Sequence, residues 1–304
     1  MSFGDVQRLR TLTLILDLGS VSAAANVLGY TQSAVSQQLS ALEREVGTVL
    51  VDRSQRPLRA TQAGASLRPH VDQVLAAVGR TEAAVQDLRG GTSRLRLAAF
   101  PSALSSFVPT AVRELRRLHP QLAVQVLQVE TAEAVDRLGR GDVDLAVVHH
   151  LPGVAVPETQ GLQRHGLLVD HLEVVLPEGH RLARRDAVSV SDLETESLIL
   201  PRRDTPAGRF RSVVEHLCAE AGFTPRVAYE LDDLSAAQAF VAAGVAVAVM
   251  HGLTLTTVPP GATTRRLTER PAGSRTIEAL VPAASPAPVV GDLVDRLIQA
   301  AGSY

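Results

Sequence analysis

The segment from residue 20 to residue 59 constrains this chain more than any other. Ser20 and Ser22 each offer a side-chain oxygen for an orphan N–H at a helix start, and Ala23, Ala24 and Ala25 follow. Their small size lets a second helix cross close above them. Leu28 ends the apolar stripe, and Gly29 suits a left-handed cap that glycine reaches most cheaply. Thr31 is an N-cap for the next helix, on which Val35, Leu39, Leu42 and Val46 form one apolar face. Gln32, Ser33, Ser36, Gln37 and Ser40 fall on the opposite side, and Gly47 closes the helix. Leu50 and Val51 then open a strand, and Arg53, Arg56 and Arg59 flank Pro57 on a hairpin.

A short helix, a tight turn, a polar-faced helix and an arginine hairpin suit insertion of one helix into a DNA groove. Glutamine bonds adenine bidentately and serine meets several bases; a good bidentate pair discriminates by about 1–3 kcal/mol. Guanidiniums on a hairpin fit phosphate contact or minor-groove insertion. The candidate DNA-contacting residues are therefore Gln32, Ser33, Ser36, Gln37, Arg53, Arg56 and Arg59.

The run Ala24-Ala25 through Leu28, Thr31-Gln32-Ser33-Ala34-Val35-Ser36, Leu39, Leu42-Glu43, Val46-Gly47, Leu50 and Arg53 resembles the winged helix-turn-helix of LysR-type transcriptional regulators. Beyond about residue 65 the resemblance is one of layout: a linker helix, then a two-lobed effector domain similar to periplasmic binding proteins. Val51 departs from the Phe usual in the family and packs less area under the wing. One recognition helix needs a dimer to span two half-sites, and the resemblance implies a homotetramer on a loosely palindromic promoter site with a small-molecule effector between the lobes. A homodimer or homotetramer is expected, with RNA polymerase as a further partner.

At 304 residues the chain can build two or three domains with real cores. No apolar run approaches a membrane span, and no basic, apolar and small-residue series opens the chain as in a secretory leader. A cytoplasmic protein is the expectation. The one cysteine, Cys218, cannot form an intrachain disulfide, which excludes a two-cysteine redox switch; inert core packing suits it. The net charge of −2 argues against a non-specific nucleic-acid coat, though not against a local basic patch.

The expected fold class is α/β overall. An N-terminal all-α winged helix-turn-helix spans residues 1–61, a linker and dimerisation helix with its hinge 62–91, and a two-lobed α/β effector-binding domain 92–304. Lobe 1 takes about 92–164 and 265–304, and lobe 2 about 165–264. Phe3 to Leu18 reads as the first helix. Thr61 caps a long helix over 62–89, where Leu67, Val71, Val74, Val78, Val85 and Leu88 make a heptad seam for dimerisation. Pro69 lies inside it, and Gly90-Gly91 forms the hinge. From Arg94 onward strands alternate with helices, which points to parallel strands. One such helix is expected from Ala103 to Leu118.

Ligands in open α/β sheets bind beyond the carboxyl ends of strands, near helix N-termini. Strand ends nominate Ser102, Thr131, His149, Pro201, Arg202, Arg203 and His251 as ligand-binding residues. The hydroxyls would bond a ligand, Arg202 or Arg203 would pair with a carboxylate or phosphate, and the histidines add pH-sensitive partners. The arginine pair tilts the expectation toward an anionic effector. His149-His150 has no third ligand nearby in sequence, so no metal site is expected. No Gly-x-Ser-x-Gly, P-loop or His-Glu-x-x-His run occurs, so no enzyme and no cofactor are expected. The alternative is a binding module or α/β enzyme whose N-terminus serves another purpose. A solute-binding protein would share the two lobes but carry a secretory leader and lack residues 1–90, and an enzyme would show a polar constellation that is not found.

Overall fold

The computed structural model describes residues 6–88, 94–151, 161–205, 207–269, 273–283 and 287–304. The expected helix start at Phe3 and the Gly90-Gly91 hinge lie outside them. By density of contacts the chain divides into two compact units. The first holds residues up to Arg96 with Gln121–Gln125 and Val135–Asp144; the second holds Leu97–Pro120, Val126–Ala134 and Leu145–Tyr304.

The head of the first unit follows the caps. Helix α1 (Val6–Leu18) precedes α2 (Val21–Leu28) and α3 (Gln32–Val46). Ser20 Oγ accepts from Ala23 N and Thr31 Oγ1 from Ala34 N, while Gly29 and Gly47 close the two helices at φ of 70° and 79°. Leu12, Ile15, Ala24, Ala25, Val35, Leu39, Leu42 and Leu50 meet in one core. Short strands β1 (Val51–Asp52) and β2 (Arg59–Ala60) pair antiparallel as the wing. Val51 is fully buried in this core despite its small size.

Helix α4 (Gln62–Leu88) starts on the expected cap, with Gly64 N donating to Thr61 Oγ1 at 3.1 Å, and runs through Pro69. Its apolar stripe divides between two tasks. Val71 is buried in the head core and Leu67 packs against that core. This corrects the expected seam: those two positions face their own head, whereas Val74 and Val85 are exposed and Val78 is half-buried. The side chain of Leu88 lies outside the described residues. Arg68 pairs with Asp72 (2.8 Å) and with Asp17 at the end of α1 (2.9 Å), which also takes Arg140 at 2.5 Å.

The α/β part begins with β3 (Arg94–Ala99), α5 (Pro101–Leu104), α6 (Val108–Leu118), β4 (Ala123–Gln128), α7 (Thr131–Arg140) and β5 (Leu145–His150). The single helix expected over 103–118 is two, because Pro109 lacks an N–H and sits in the first turn of a new helix. Then come β6 (Leu162–Asp170), β7 (Leu172–Pro177), β8 (Ala187–Val188), β9 (Ser197–Leu200), α8 (Gly208–Glu220), β10 (Arg226–Glu230), α9 (Leu234–Ala242), β11 (Val247–His251), β12 (Ala262–Leu267), β13 (Arg275–Pro282) and α10 (Pro288–Ala301).

Two sheets result, a five-stranded one in the order β4-β3-β5-β13-β6 and a six-stranded one in the order β10-β9-β11-β7-β12-β8. Strands β3 and β5 are parallel, as are β9, β10 and β11, but β6, β7, β12 and β13 make antiparallel pairs. His171 alone separates β6 from β7, too short a link for a crossover helix. The chain passes between sheets after Asp170 and again between Leu267 and Arg275, a few residues beyond the expected 164/165 and 264/265 boundaries. The fold class is α/β with a helical head. Helices cover the sheets: α10 packs on α6, and α9 packs on β7 and β11.

Candidate DNA interface and effector cavity

On α3, Gln32, Ser33 and Gln37 are exposed and Ser36 is half-buried, opposite the buried Val35, Leu39 and Leu42. Arg53, Arg56 and Arg59 are exposed on the wing. Glu43, named in the sequence only as part of the motif run, joins helix to wing. Its Oε1 accepts from Leu50 N (2.9 Å) and Val51 N (3.3 Å), and its Oε2 takes Arg53 at 3.1 Å. Arg53 also donates to Ser40 Oγ at 3.3 Å. One carboxylate thus fixes where the arginine hairpin stands relative to the polar face. The far side of the wing is fixed by Leu58 N, which donates to Gly19 O at 2.9 Å. The surface can present short polar groups to base edges and guanidiniums to phosphates.

In the second unit a cavity of about 860 Å³ opens at the strand ends. Ser102, Thr131, His149, Pro201 and His251 line it, as sequence reasoning anticipated by position. Arg202 and Arg203 do not. Arg202 pairs with Asp204 and Arg203 with Glu215, each at 2.7 Å, and both are exposed. The loop after β9 turns these side chains to nearby carboxylates, and neither lines the cavity. The lining instead carries Glu130, Glu133, Asp232 and Asp233 against Arg209 and Arg275.

At the floor lies a buried pair that sequence reasoning missed. Arg275 is 6% exposed and Asp170 4%. Arg275 Nε donates to Asp170 Oδ2 at 2.9 Å and Nη2 to Ser102 Oγ at 2.7 Å, with the guanidinium 5.0 Å from the centre of the Phe100 ring. Asp170 Oδ1 accepts from Leu253 N at 3.1 Å. Burial lowers the Arg275 pKa and Asp170 opposes that shift. Carboxyl ends of parallel strands do not point to this pair. Arg275 begins an antiparallel strand, whose amino end lies where its neighbour β5 finishes: Thr276 faces His150 in register, and Arg275 faces Asp170. The one available signal was an arginine two residues before Ile277–Val281, a stretch apolar except for Glu278.

Other lining groups are already engaged. Thr131 Oγ1 accepts from His149 N (3.1 Å) and donates to His149 O (3.2 Å), so its hydroxyl ties α7 to the end of β5. His149 Nε2 lies 3.8 Å from Glu130 Oε2, and the ring meets Phe100 edge-on at 4.8 Å. The neighbouring His149 ring, against the effect of burial, holds the Glu130 carboxyl below its usual range. His251 Nε2 donates to Gly273 O at 3.2 Å, and Phe210 lies 5.0 Å from its ring. Burial, then the Arg275 charge, pushes the His251 pKa well below the ordinary imidazole value, so this ring is neutral.

Cys218 is buried on α8, and burial raises its thiol to about 11. At pH 8 roughly one thiol in a thousand is then ionised. Native protein is expected to resist a thiol-specific disulfide reagent and to react fully in denaturant. Rapid native labelling would contradict the burial. Among the described residues no group of His, Cys, Asp and Glu is placed to hold a metal, and no helix is long and apolar enough to cross a membrane.

A polar-faced helix with a basic wing, and a two-sheet domain enclosing a ligand-sized cavity, define a ligand-responsive DNA-binding regulator. The family model described as bacterial regulatory helix-turn-helix protein, lysR family, matches residues 6–65, and that of the LysR substrate binding domain matches residues 88–302. The chain belongs to the LysR family of transcriptional regulators. It is a DNA-binding regulator with an effector-binding domain, and not an enzyme. The HTH-type transcriptional regulator ShiR of Corynebacterium glutamicum (strain R) is 33% identical over 244 residues, covering 78% of this chain and 80% of that protein. The transcriptional dual regulator GltC of Bacillus subtilis (strain 168) is 26% identical, covering 97% of each. The crystal structure of full-length CbnR complexed with its target DNA is similar in fold at a TM-score of 0.59, with 21% identity over 97% of this chain and 99% of that one.

Proposed function

We propose that Gln32, Ser33, Ser36 and Gln37 read base edges of a promoter site while Arg53, Arg56 and Arg59 hold its backbone or minor groove. The observation that carries this reading is the side-by-side placement of the polar face of α3 and the arginine wing, braced by Glu43. The division of labour is into residues 1–61 for DNA, 62–91 for linkage and dimerisation, and 92–304 for the effector. One recognition helix reads one half-site, so the regulator acts in the cytoplasm as a homodimer or homotetramer. Its pairing seam is Val74, Val78, Val85 and Leu88, without the head-facing Leu67 and Val71. A small molecule in the cavity lined by Ser102, Thr131, His149, Pro201 and His251 biases one arrangement of the assembly, by no more than its differential affinity for the two. RNA polymerase is the downstream partner.

The test is fluorescence anisotropy with DNA upstream of the protein's own gene, beside scrambled DNA, across a salt series. Gln32→Ala is expected to relax base preference by about 1–3 kcal/mol. Arg56→Ala is expected to weaken both DNAs alike and to lower the salt slope by about one. If both variants keep full affinity and full sequence preference, the reading head lies elsewhere.

A further inference from the structure

We propose that Tyr30, with Val27 beside it, is a further DNA contact: the phenol donates to a phosphate oxygen, and the ring and the valine lie against the deoxyriboses of the strand flanking the read bases. This rests on α3 being the reading helix and adds a sequence-independent grip at its start.

Helix α2 ends in a paired glycine cap. Gly29 N donates to Asn26 O at 3.4 Å and Tyr30 N to Ala25 O at 3.0 Å. In that motif the residue after the glycine often packs an apolar side chain on the helix residue whose carbonyl it takes. Here that residue is Ala25, small and 1% exposed, so it offers the Tyr30 ring no surface. The other inward route is a staple onto the fourth residue of the next helix, Val35, which is fully buried in the head core. Tyr30 therefore stays 45% exposed, and Val27, three residues earlier at the end of α2, 64%. Val21, Leu28 and Val46 pack against the head core, and these two do not join them. Among the described residues the Tyr30 hydroxyl has no partner.

A lone exposed apolar residue is ordinary on a protein surface. Position is what gives this pair an occupant. Tyr30 directly precedes the cap Thr31 and the exposed first residues of α3, Gln32 and Ser33. In a helix-turn-helix the start of the second helix meets the bases while the first helix crosses the DNA backbone. The turn between them stands where that backbone runs, so the patch is continuous with the DNA interface. A phosphate oxygen only accepts, and tyrosine supplies a neutral donor on an apolar ring, which suits a strand of alternating phosphates and sugars.

The test is anisotropy of the full-length protein on the DNA upstream of its own gene and on a scrambled duplex, each across a salt series. Tyr30→Phe removes only the hydroxyl and is expected to weaken both duplexes about threefold to tenfold, and Tyr30→Ala about thirtyfold. Val27→Glu sets a carboxylate against the phosphates and is expected to weaken both about tenfold. A neutral phenol displaces no counterion, so the Tyr30 variants lower affinity without changing the salt slope, unlike Arg56→Ala. Both side chains are exposed, so the melting temperature is expected to hold. Unchanged affinity in these three variants while Arg56→Ala weakens binding would overturn the contact and keep the reading head; unchanged affinity in all four would overturn both. Intact DNA binding with lost control of a reporter gene would give the patch to a protein partner instead. A lowered melting temperature, or a loss confined to the native duplex, would place these residues in the fold or in base reading and overturn the backbone grip as well.

Discussion

Arg275→Leu is expected to destabilise the effector-binding unit by about 3–5 kcal/mol, the usual cost of removing one partner from a buried ion pair. The loss of the Arg275 bonds is the smaller part. The larger part is Asp170, 4% exposed, which would keep its charge with only Leu253 N left on Oδ1. Ser102 would lose its donor and the Phe100 ring its cation. The sign of the effect depends on which residue is left behind. Because Arg275 and Asp170 stand opposite each other in the β13–β6 ladder, Asp170→Leu with Arg275→Leu removes both charges and leaves two apolar chains in facing positions. The double variant is therefore expected to recover much of the lost stability, as apolar replacements of buried ion pairs do. Urea unfolding of the single and double variants decides the point. Equal losses in the two would mean that packing at this position, and not an uncompensated carboxylate, sets the cost. Effector response is expected to stay impaired in both, because Ser102 stays without its donor.

How much of this was legible in the sequence follows from how local each signal is. The head was readable because its signals lie within a few residues of what they control: Ser20 and Thr31 cap the helices they precede, and Gly29 and Gly47 end those before them. The cavity was readable only where strands run parallel, since carboxyl ends can then be inferred from order alone. Thr131 and His149 were found that way. Arg275 and Asp170 are 105 positions apart and meet only because β13 returns antiparallel beside β6. No spacing rule announces such a pair. Arg202 and Arg203 failed for the converse reason: their place in sequence was right, but Asp204 and Glu215 lay within reach and took them out of the cavity. The apolar stripe of α4 divides because a 3.5-residue period does not say which surface it faces. Val71 answers to its own head core, while Val74 is left exposed.

Gly64→Ala is expected to weaken DNA binding by about tenfold to a hundredfold, against the usual direction of such a change. In an exposed helix, alanine in place of glycine stabilises by about 1 kcal/mol. Gly64 lies in the first turn of α4, where that helix crosses the start of the wing. A Cβ there would stand 2.1 Å from the Leu50 carbonyl oxygen and 3.1 Å from its carbon. Neither atom is free to give way. Leu50 O accepts from Thr61 N at 3.0 Å, and Leu50 N is held by Glu43. Relief must come from moving β1 away from α4, at an overpacking cost of about 1–3 kcal/mol or more. That movement carries Arg53 and the hairpin away from the polar face of α3. Gly79 in the same helix supplies the control, because among the described residues a Cβ there meets only the Gly141 carbonyl oxygen at 3.8 Å. Gly79→Ala should leave the melting temperature unchanged or raise it, and should leave DNA affinity intact. Thermal unfolding and anisotropy on both variants compare them directly; if Gly64→Ala behaves as Gly79→Ala does, the wing is not braced against α4 at this contact, and the geometry of the arginine hairpin is set elsewhere.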